Sequence, residues 1–254
     1  MPESAPSSDA SLVRLVVLHV AIVALPIMVL PLALRWWLLA LPLALLVGVA
    51  VTAVRVRGLD ERIASTLGAR PVDAADVPRL AGLSETVAMA AGVAPPKLHV
   101  IDSPSVNAVV WGVGNGPCSL AVTSGLLDTA DPVALEAVVG HHLARAQSRS
   151  IDVTTLAAAL FGPFAKGPFT DGVVSLVQGD EERSVVMADL DGVRATRYPP
   201  GMVDVLEVVR NHDSRLDVVP PAMAGLCFAA PGDGSGPFAV HPPVDDRIDL
   251  LREI

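Results

Sequence analysis

Two adjacent histidines, His141 and His142, followed by Leu143, Ala144 and Arg145, are the residues of this chain best suited to chemistry. An imidazole nitrogen can bind a transition metal or move a proton near neutral pH. A zinc site built on a helix takes histidines at i and i+4, one turn apart on the same face, with a glutamate after the first to deprotonate the bound water. Here the i position is His141, the glutamate position is His142 and the i+4 position is Arg145. Neighbours on a helix diverge by about 100°, so His141 and His142 do not chelate one ion unless the helix is distorted. A guanidinium at 145 stays protonated and sets a permanent positive charge where a second ligand would stand. What this site can do therefore depends on which elements surround it.

The motif lies on a helix. Asp131-Pro132 supplies an N-cap and a proline at the first helical position, opening a run through ALEAVVGHHLARAQSR. Upstream, Val77 to Ala91 places apolar residues at three- and four-residue spacing and stops at Gly92, a helix with a C-terminal glycine. Three strands are expected next, Lys97 to Ile101, Asn107 to Val113 and Cys118 to Thr123, and the Gly114-Asn115-Gly116-Pro117 turn joins the last two as a hairpin in a small antiparallel sheet. Downstream, Ile151 to Val177 is apolar but broken by Gly162-Pro163 and Gly167-Pro168, too interrupted for a clean membrane span. Asp180 to Arg183 leads a helix over Ser184 to Thr196, which Tyr198-Pro199-Pro200-Gly201 ends. Met202 to Arg210 and Asp245 to Ile254 read as further helices around a Gly/Pro-rich loop, Pro231 to Pro237.

The N-terminal part follows a different rule. The chain has 254 residues, of which 52% are hydrophobic, and a mean hydropathy of +0.53, more apolar than a soluble core needs. Much of the excess lies in Leu15 to Leu34, which carries no formal charge, and in the run after Arg35-Trp36-Trp37 that ends at Val54. Each run has about the length that crosses a hydrocarbon core of roughly 30 Å, so two transmembrane helices joined by a short turn are expected. Arg14 before the pair and Arg55, Arg57 and Arg62 after it outweigh Arg35 in the turn, which places both ends and the following domain in the cytoplasm, with Trp36 and Trp37 at the far interface. His19 is expected to reach the headgroups from near the helix start. Domain limits follow as a disordered tail over 1–11, the helical pair over 12–56 and one compact domain over 57–254. A net charge of -9 with no basic stripe after Arg62 argues against nucleic acid, and the two cysteines, Cys118 and Cys227, read as buried thiols.

Set in this frame, the chain resembles the HtpX-like membrane zinc metallopeptidases, which are gluzincins. The stretch LHVIDSPSVNAVVWGVGNGPCSLAVTSGLLD is similar to the family's strand region, Ala134 to Arg149 to its active-site helix, Ala188 to Gly201 to its third-ligand helix and His241 to Ile248 to its closing motif. The resemblance implies an α+β, mainly helical fold, an N-terminal transmembrane hairpin before a gluzincin-like domain, and a substrate held as an added strand along the edge formed by Asn107, Ala108, Val109 and Val110. It also implies zinc ligands at 141, 145 and 185 and a base at 142; His141 alone remains, the others being Arg145, Val185 and His142. Asp189 matches the carboxylate that orients the first histidine, and His241 matches a neighbour of the site.

A four-ligand zinc site contributes about 10 to 16 kcal/mol, and a single imidazole keeps little of it. The expectation is therefore a protein without catalysis and without metal, keeping the scaffold as a binding, scaffold or regulatory subunit of a membrane complex, with a membrane protein or extended peptide as partner and a hetero-oligomer as its assembly. The alternative is an active zinc endopeptidase on a remapped site drawn from His241, Asp180, Glu181, Glu182 and Asp189. In the metal-free case Arg145 is expected to pair with Asp189 or a nearby glutamate and to hold the two core helices together.

Overall fold

Leucine, valine and alanine at most positions carry the chain through two helices, α1 (Ser8–Ala33) and α2 (Trp37–Arg57). The computed structural model describes residues 8–33, 37–161, 181–232 and 241–254. The two helices lie side by side, with Gly48 of α2 against Val20 of α1. Their outer faces remain apolar and exposed, Leu46 at 67% and Leu25 at 60%. Among the described residues no single helix is long and apolar enough to cross a membrane; Leu41–Arg57 together with Leu59–Thr66 passes by length and composition as a pair bent by 63°. Two helices are thus present and packed together where the spanning hairpin is expected, and neither passes by itself as a span. The expected places of Trp36, Asp180 and the 162–180 segment lie outside the described residues, as do 1–7 and most of the Gly/Pro loop.

After α2 the chain turns at Gly58 into α3 (Leu59–Thr66) and a short strand β1 (Ala69–Pro71) that the sequence pattern did not indicate. α4 (Pro78–Ala91) closes at Gly92, whose φ of 69° lets Val93 N donate to Ala88 O. Strands β2 (Lys97–Ile101), β3 (Ala108–Trp111) and β4 (Ser119–Thr123) complete a sheet of order β1-β2-β4-β3. The expected β3–β4 hairpin is antiparallel, pairing Val109 with Ala121. The wholly antiparallel sheet is corrected: β2 runs parallel to β4, pairing His99 with Ala121. β4 is buried at every residue, as a central strand should be, so the hairpin folds its second strand inward and meets β2 in the same direction.

α5 (Ser124–Thr129) leads to α6 (Pro132–Gln147), which carries the histidines. Asp131 Oδ1 accepts from Ala134 N at 2.8 Å, as the Asp-Pro start requires. α6 is buried on all sides from Ala137 to Arg145, packed between α4, α8 (Glu181–Thr196), α9 (Pro199–Asn211) and β3. α7 (Asp152–Phe161) joins the helical pair to the domain: Leu15 of α1 packs on Leu156, Leu160 and Phe161. His19 is fully buried there, its ring edge-on to Phe161 with centroids 5.5 Å apart. A 3₁₀ helix (Pro221–Leu226) and α10 (Val244–Arg252) finish the fold.

α6 and α8 approach each other closely where two glycines face across the contact. A Cβ on Gly192 would stand 2.7 Å from His141 N, and one on Gly140 would stand 3.1 Å from Gly192 O. Gly192→Ala is therefore expected to force α8 away from α6 and to lower stability by about 2 kcal/mol or more. Gly82, in α4, has open space where its Cβ would go, so Gly82→Ala is expected to raise stability by about 0.5 to 1 kcal/mol. Thermal unfolding of the two variants beside the parent chain checks both signs.

Candidate functional site

His141 faces α8 and meets Asp189 there, its Nδ1 lying 2.7 Å from Asp189 Oδ1. Burial pushes the His141 imidazole down to about 4, although Asp189 pulls it up, so the ring is neutral at pH 7. The proton then sits on Nδ1 and is donated to Asp189, which leaves Nε2 as a bare, buried lone pair. This is the orientation by Asp189 that the resemblance implies for His141.

Asp189 has a second partner. Arg247 Nε donates to Asp189 Oδ2 at 2.7 Å and Nη2 to Oδ1 at 2.8 Å, a two-pronged ion pair buried on both sides. Burial pushes the Asp189 carboxyl up, but the Arg247 guanidinium and the His141 hydrogen bond outweigh it and hold the group at about 2. The expected pairing of Arg145 with Asp189 is corrected: α10 supplies the guanidinium, because its start after His241-Pro242-Pro243 brings Arg247 over the α6–α8 seam. Arg247 was not picked out from the sequence, although it stands within the HPP-x-x-x-RI stretch; only its place in that motif could have signalled it.

A short segment after the 3₁₀ helix covers the site. Arg247 Nη1 donates to Phe228 O at 2.9 Å, and the Phe228 ring stands 5.0 Å from the His141 ring and 6.0 Å from the His142 ring. Phe228 N donates to Ala108 O at 2.8 Å, and Cys227 forms an antiparallel bridge with Val109. Asn107 fastens the same segment: its Nδ2 donates to Ser214 O at 2.7 Å and Ala229 O at 3.0 Å, and its Oδ1 accepts from Ala108 N and Ala229 N. The edge expected to receive a peptide is therefore taken at Ala108 and Val109 by the chain itself, while Asn107 binds backbone rather than a ligand. Nothing in residues 221–230 marks this role in the sequence.

His241 stands beside the site, as the resemblance implies. Its Nε2 donates to Cys227 O at 2.9 Å, in the covering segment, and burial pushes its imidazole down to about 3. Burial and the neighbouring His141 and Arg145 hold His142 well below its usual range, and both of its ring nitrogens are buried without a hydrogen bond. Arg145 and Val185 are fully buried beside them. Cys118 and Cys227 are free, buried thiols, pushed up to about 11 and 12.

Comparison with known proteins places this arrangement. The profile of Peptidase family M48 matches residues 74–165, from before α4 through the histidine helix to just past α7. A protease HtpX homologue of Dictyoglomus thermophilum is 29% identical over 226 residues, covering 76% of this chain and 75% of its own length. A protease HtpX homologue of Streptococcus pneumoniae is 27% identical over 257 residues, covering 84% and 86%. Over most of its length the chain is similar to the HtpX-like metallopeptidases. No solved structure matches. The expectation of a protein without catalysis is corrected by these matches, since the HtpX relatives are named as proteases and the matching profile is that of a peptidase.

The metal implied by the HtpX-like family meets a mixed set of residues. His141 fits, with Nε2 free and Nδ1 tied to Asp189. Position 145 places a guanidinium, and position 185 an aliphatic side chain, where donors would be needed. Among the described residues no group of three or more His, Cys, Asp or Glu side chains is arranged to hold a metal. The residues present therefore do not fit zinc in the i, i+4 geometry.

Two outcomes are expected. Metal analysis of the purified full chain should find well under one zinc per molecule; stoichiometric zinc that disappears in His141→Ala would contradict it. Acid should destabilise the fold in two stages. The unfolded chain binds protons on His141, His142 and His241 below about pH 6.5 and the folded chain does not, so stability should fall by up to about 1.4 kcal/mol per pH unit per histidine, down to about pH 4 for His141. Asp189 stabilises above the ordinary carboxylate range and loses that contribution from about pH 3.8 towards about 2. Melting temperatures across this range, for the parent and for His142→Leu, measure the first stage.

Proposed function

We propose that this chain works at a membrane, anchored by α1 and α2 with its termini and domain on the cytoplasmic side, and that it holds extended segments of membrane proteins along the β3 edge, serving a membrane complex. One observation carries the reading. The edge beside His141 and His142 already accepts an extended segment, Cys227–Ala229 of the chain itself, by antiparallel backbone pairing and with an aromatic side chain packed on the imidazoles. Backbone pairing of this kind is independent of a peptide's side-chain sequence, which suits a protein that meets many different segments. A partner peptide takes the place of the covering segment, with one of its own side chains in the position of Phe228.

The membrane part rests on the exposed apolar faces of α1 and α2, larger than a soluble domain leaves uncovered, and on Arg55, Arg57 and Arg62 where α2 ends. Cleavage of the held segment is the activity after which the relatives are named, and it is read in the same experiment as binding.

That experiment locks the edge. Opposed residues of an antiparallel bridge have Cα atoms about 4.5 to 5.5 Å apart, within the reach of a disulfide. Val109→Cys, in a chain with Cys118→Ser, is expected to join Cys227 on oxidation. Photo-crosslinking of an extended peptide to the full chain, and any cleavage of it, should drop about tenfold or more when the bond is closed and return on reduction. Equal crosslinking in both states would remove the β3 edge from the proposal.

A further inference from the structure

Away from the histidines, an open cavity of about 860 Å³ lies where the helical pair meets the domain. It lies inside the 63° bend between α2 and α3. Val54 of α2, Ile63 of α3, Ala158 of α7 and Met223 of the 3₁₀ helix form its apolar wall. Arg55 and Arg62 line it as well, with Glu61 beside them. Arg55 is half-buried and spends one N–H on a long bond, 3.4 Å, to Leu160 O, which leaves further donors of its guanidinium for a ligand. Arg62 lies folded back over the bend, its guanidinium beside Gly58. Asp60, the other acid at the bend, is engaged elsewhere, accepting from Trp111, Ser119 and Lys97.

The cavity is also continuous with the apolar surface of α2. Val54, part of its wall, is 57% exposed, and Leu46 of the same helix, two turns before it, is exposed as well. An occupant can therefore reach the arginines with a charged end while its apolar part follows the helix. We propose that this cavity binds an anionic phospholipid, its phosphate between Arg55 and Arg62 and one acyl chain laid over Val54 along α2. The proposal rests on the membrane reading above, which sets the α2–α3 bend at the cytoplasmic headgroup level, where arginines attract anionic lipid. The volume lies within the range of pockets that enclose a small molecule, enough for a headgroup and the start of a chain.

The test uses the full chain in nanodiscs with equal amounts of phosphatidylcholine and phosphatidylglycerol, followed by native mass spectrometry of the lipids it retains after detergent release. Retained phosphatidylglycerol is expected to exceed phosphatidylcholine about tenfold, and to fall to parity in the double variant Arg55→Gln/Arg62→Gln. Ala158→Phe, which fills the apolar wall and leaves both arginines, should also abolish retention. A chain that enters nanodiscs but shows no lipid preference, or keeps its preference in the double variant, overturns the lipid site alone. Retention unchanged in Ala158→Phe overturns it too, as does displacement of the lipid by an equal concentration of glycerol phosphate, which would show that the phosphate suffices without the chain. Failure to enter nanodiscs at all overturns the membrane reading and the lipid site together.

Discussion

Asp189 is a carboxylate taken wholly out of water, and the arrangement of the site follows from how that charge is compensated. A buried ion is costly unless it is paired and its lone pairs are used. Here Arg247 takes both oxygens and His141 takes one of them. The three residues belong to α8, α10 and α6, so a single carboxylate draws three helices to one point. Its effect extends to the covering segment, because the same Arg247 guanidinium holds Phe228 O and lies 5.0 Å from the centre of the Phe228 ring. The close approach of Gly140 and Gly192 permits this geometry, since a side chain at either position would hold α8 too far from α6 for Asp189 to reach the imidazole.

Asn107 plays the corresponding part at the sheet. Its buried amide satisfies four backbone groups at once, across β3, Ser214 and Ala229. A buried amide with full hydrogen bonding specifies one arrangement of the segments it joins, because any other leaves polar groups bare. The histidine site is thus closed on two sides by polar anchors, Asn107 and Arg247, and is filled by an aromatic ring. His141 keeps the orientation of a metal ligand inside a pocket whose other corners carry a guanidinium and an aliphatic group.

The helical pair is joined to this domain by apolar contacts, Leu15 on α7, and by the bend at Gly58 that turns α2 into α3. That bend leaves the cavity between helix pair and domain, and it lies at the opposite end of α7 from Asp152, which accepts from Gly114 N next to the hairpin turn. α7 therefore connects the hairpin turn of the sheet with the base of the apolar pair.

Features set by neighbours within a turn or two were legible in the sequence. The Asp131-Pro132 start of α6, the Gly92 stop of α4, the turn between β3 and β4 and the arginine at 145 in place of a second histidine needed only capping, glycine and the i, i+4 rule; Val185 stood out only through the resemblance. The pairing of His141 with Asp189 was legible through the family's motifs. Other features depended on contacts far apart in the chain. Arg247 reaches Asp189 across 58 positions and Asn107 reaches Ala229 across 122, and neither partner leaves a periodic or local mark. The parallel pairing of β2 with β4 was equally hidden, since strand alternation gives side-chain faces but no direction. The sequence alone thus determined where the main helices and the three longer strands lie and which residue types stand at the histidine motif; tertiary packing decided which charge meets Asp189, what covers the β3 edge and where a cavity remains, because those outcomes depend on burial that exists only once the helices have met.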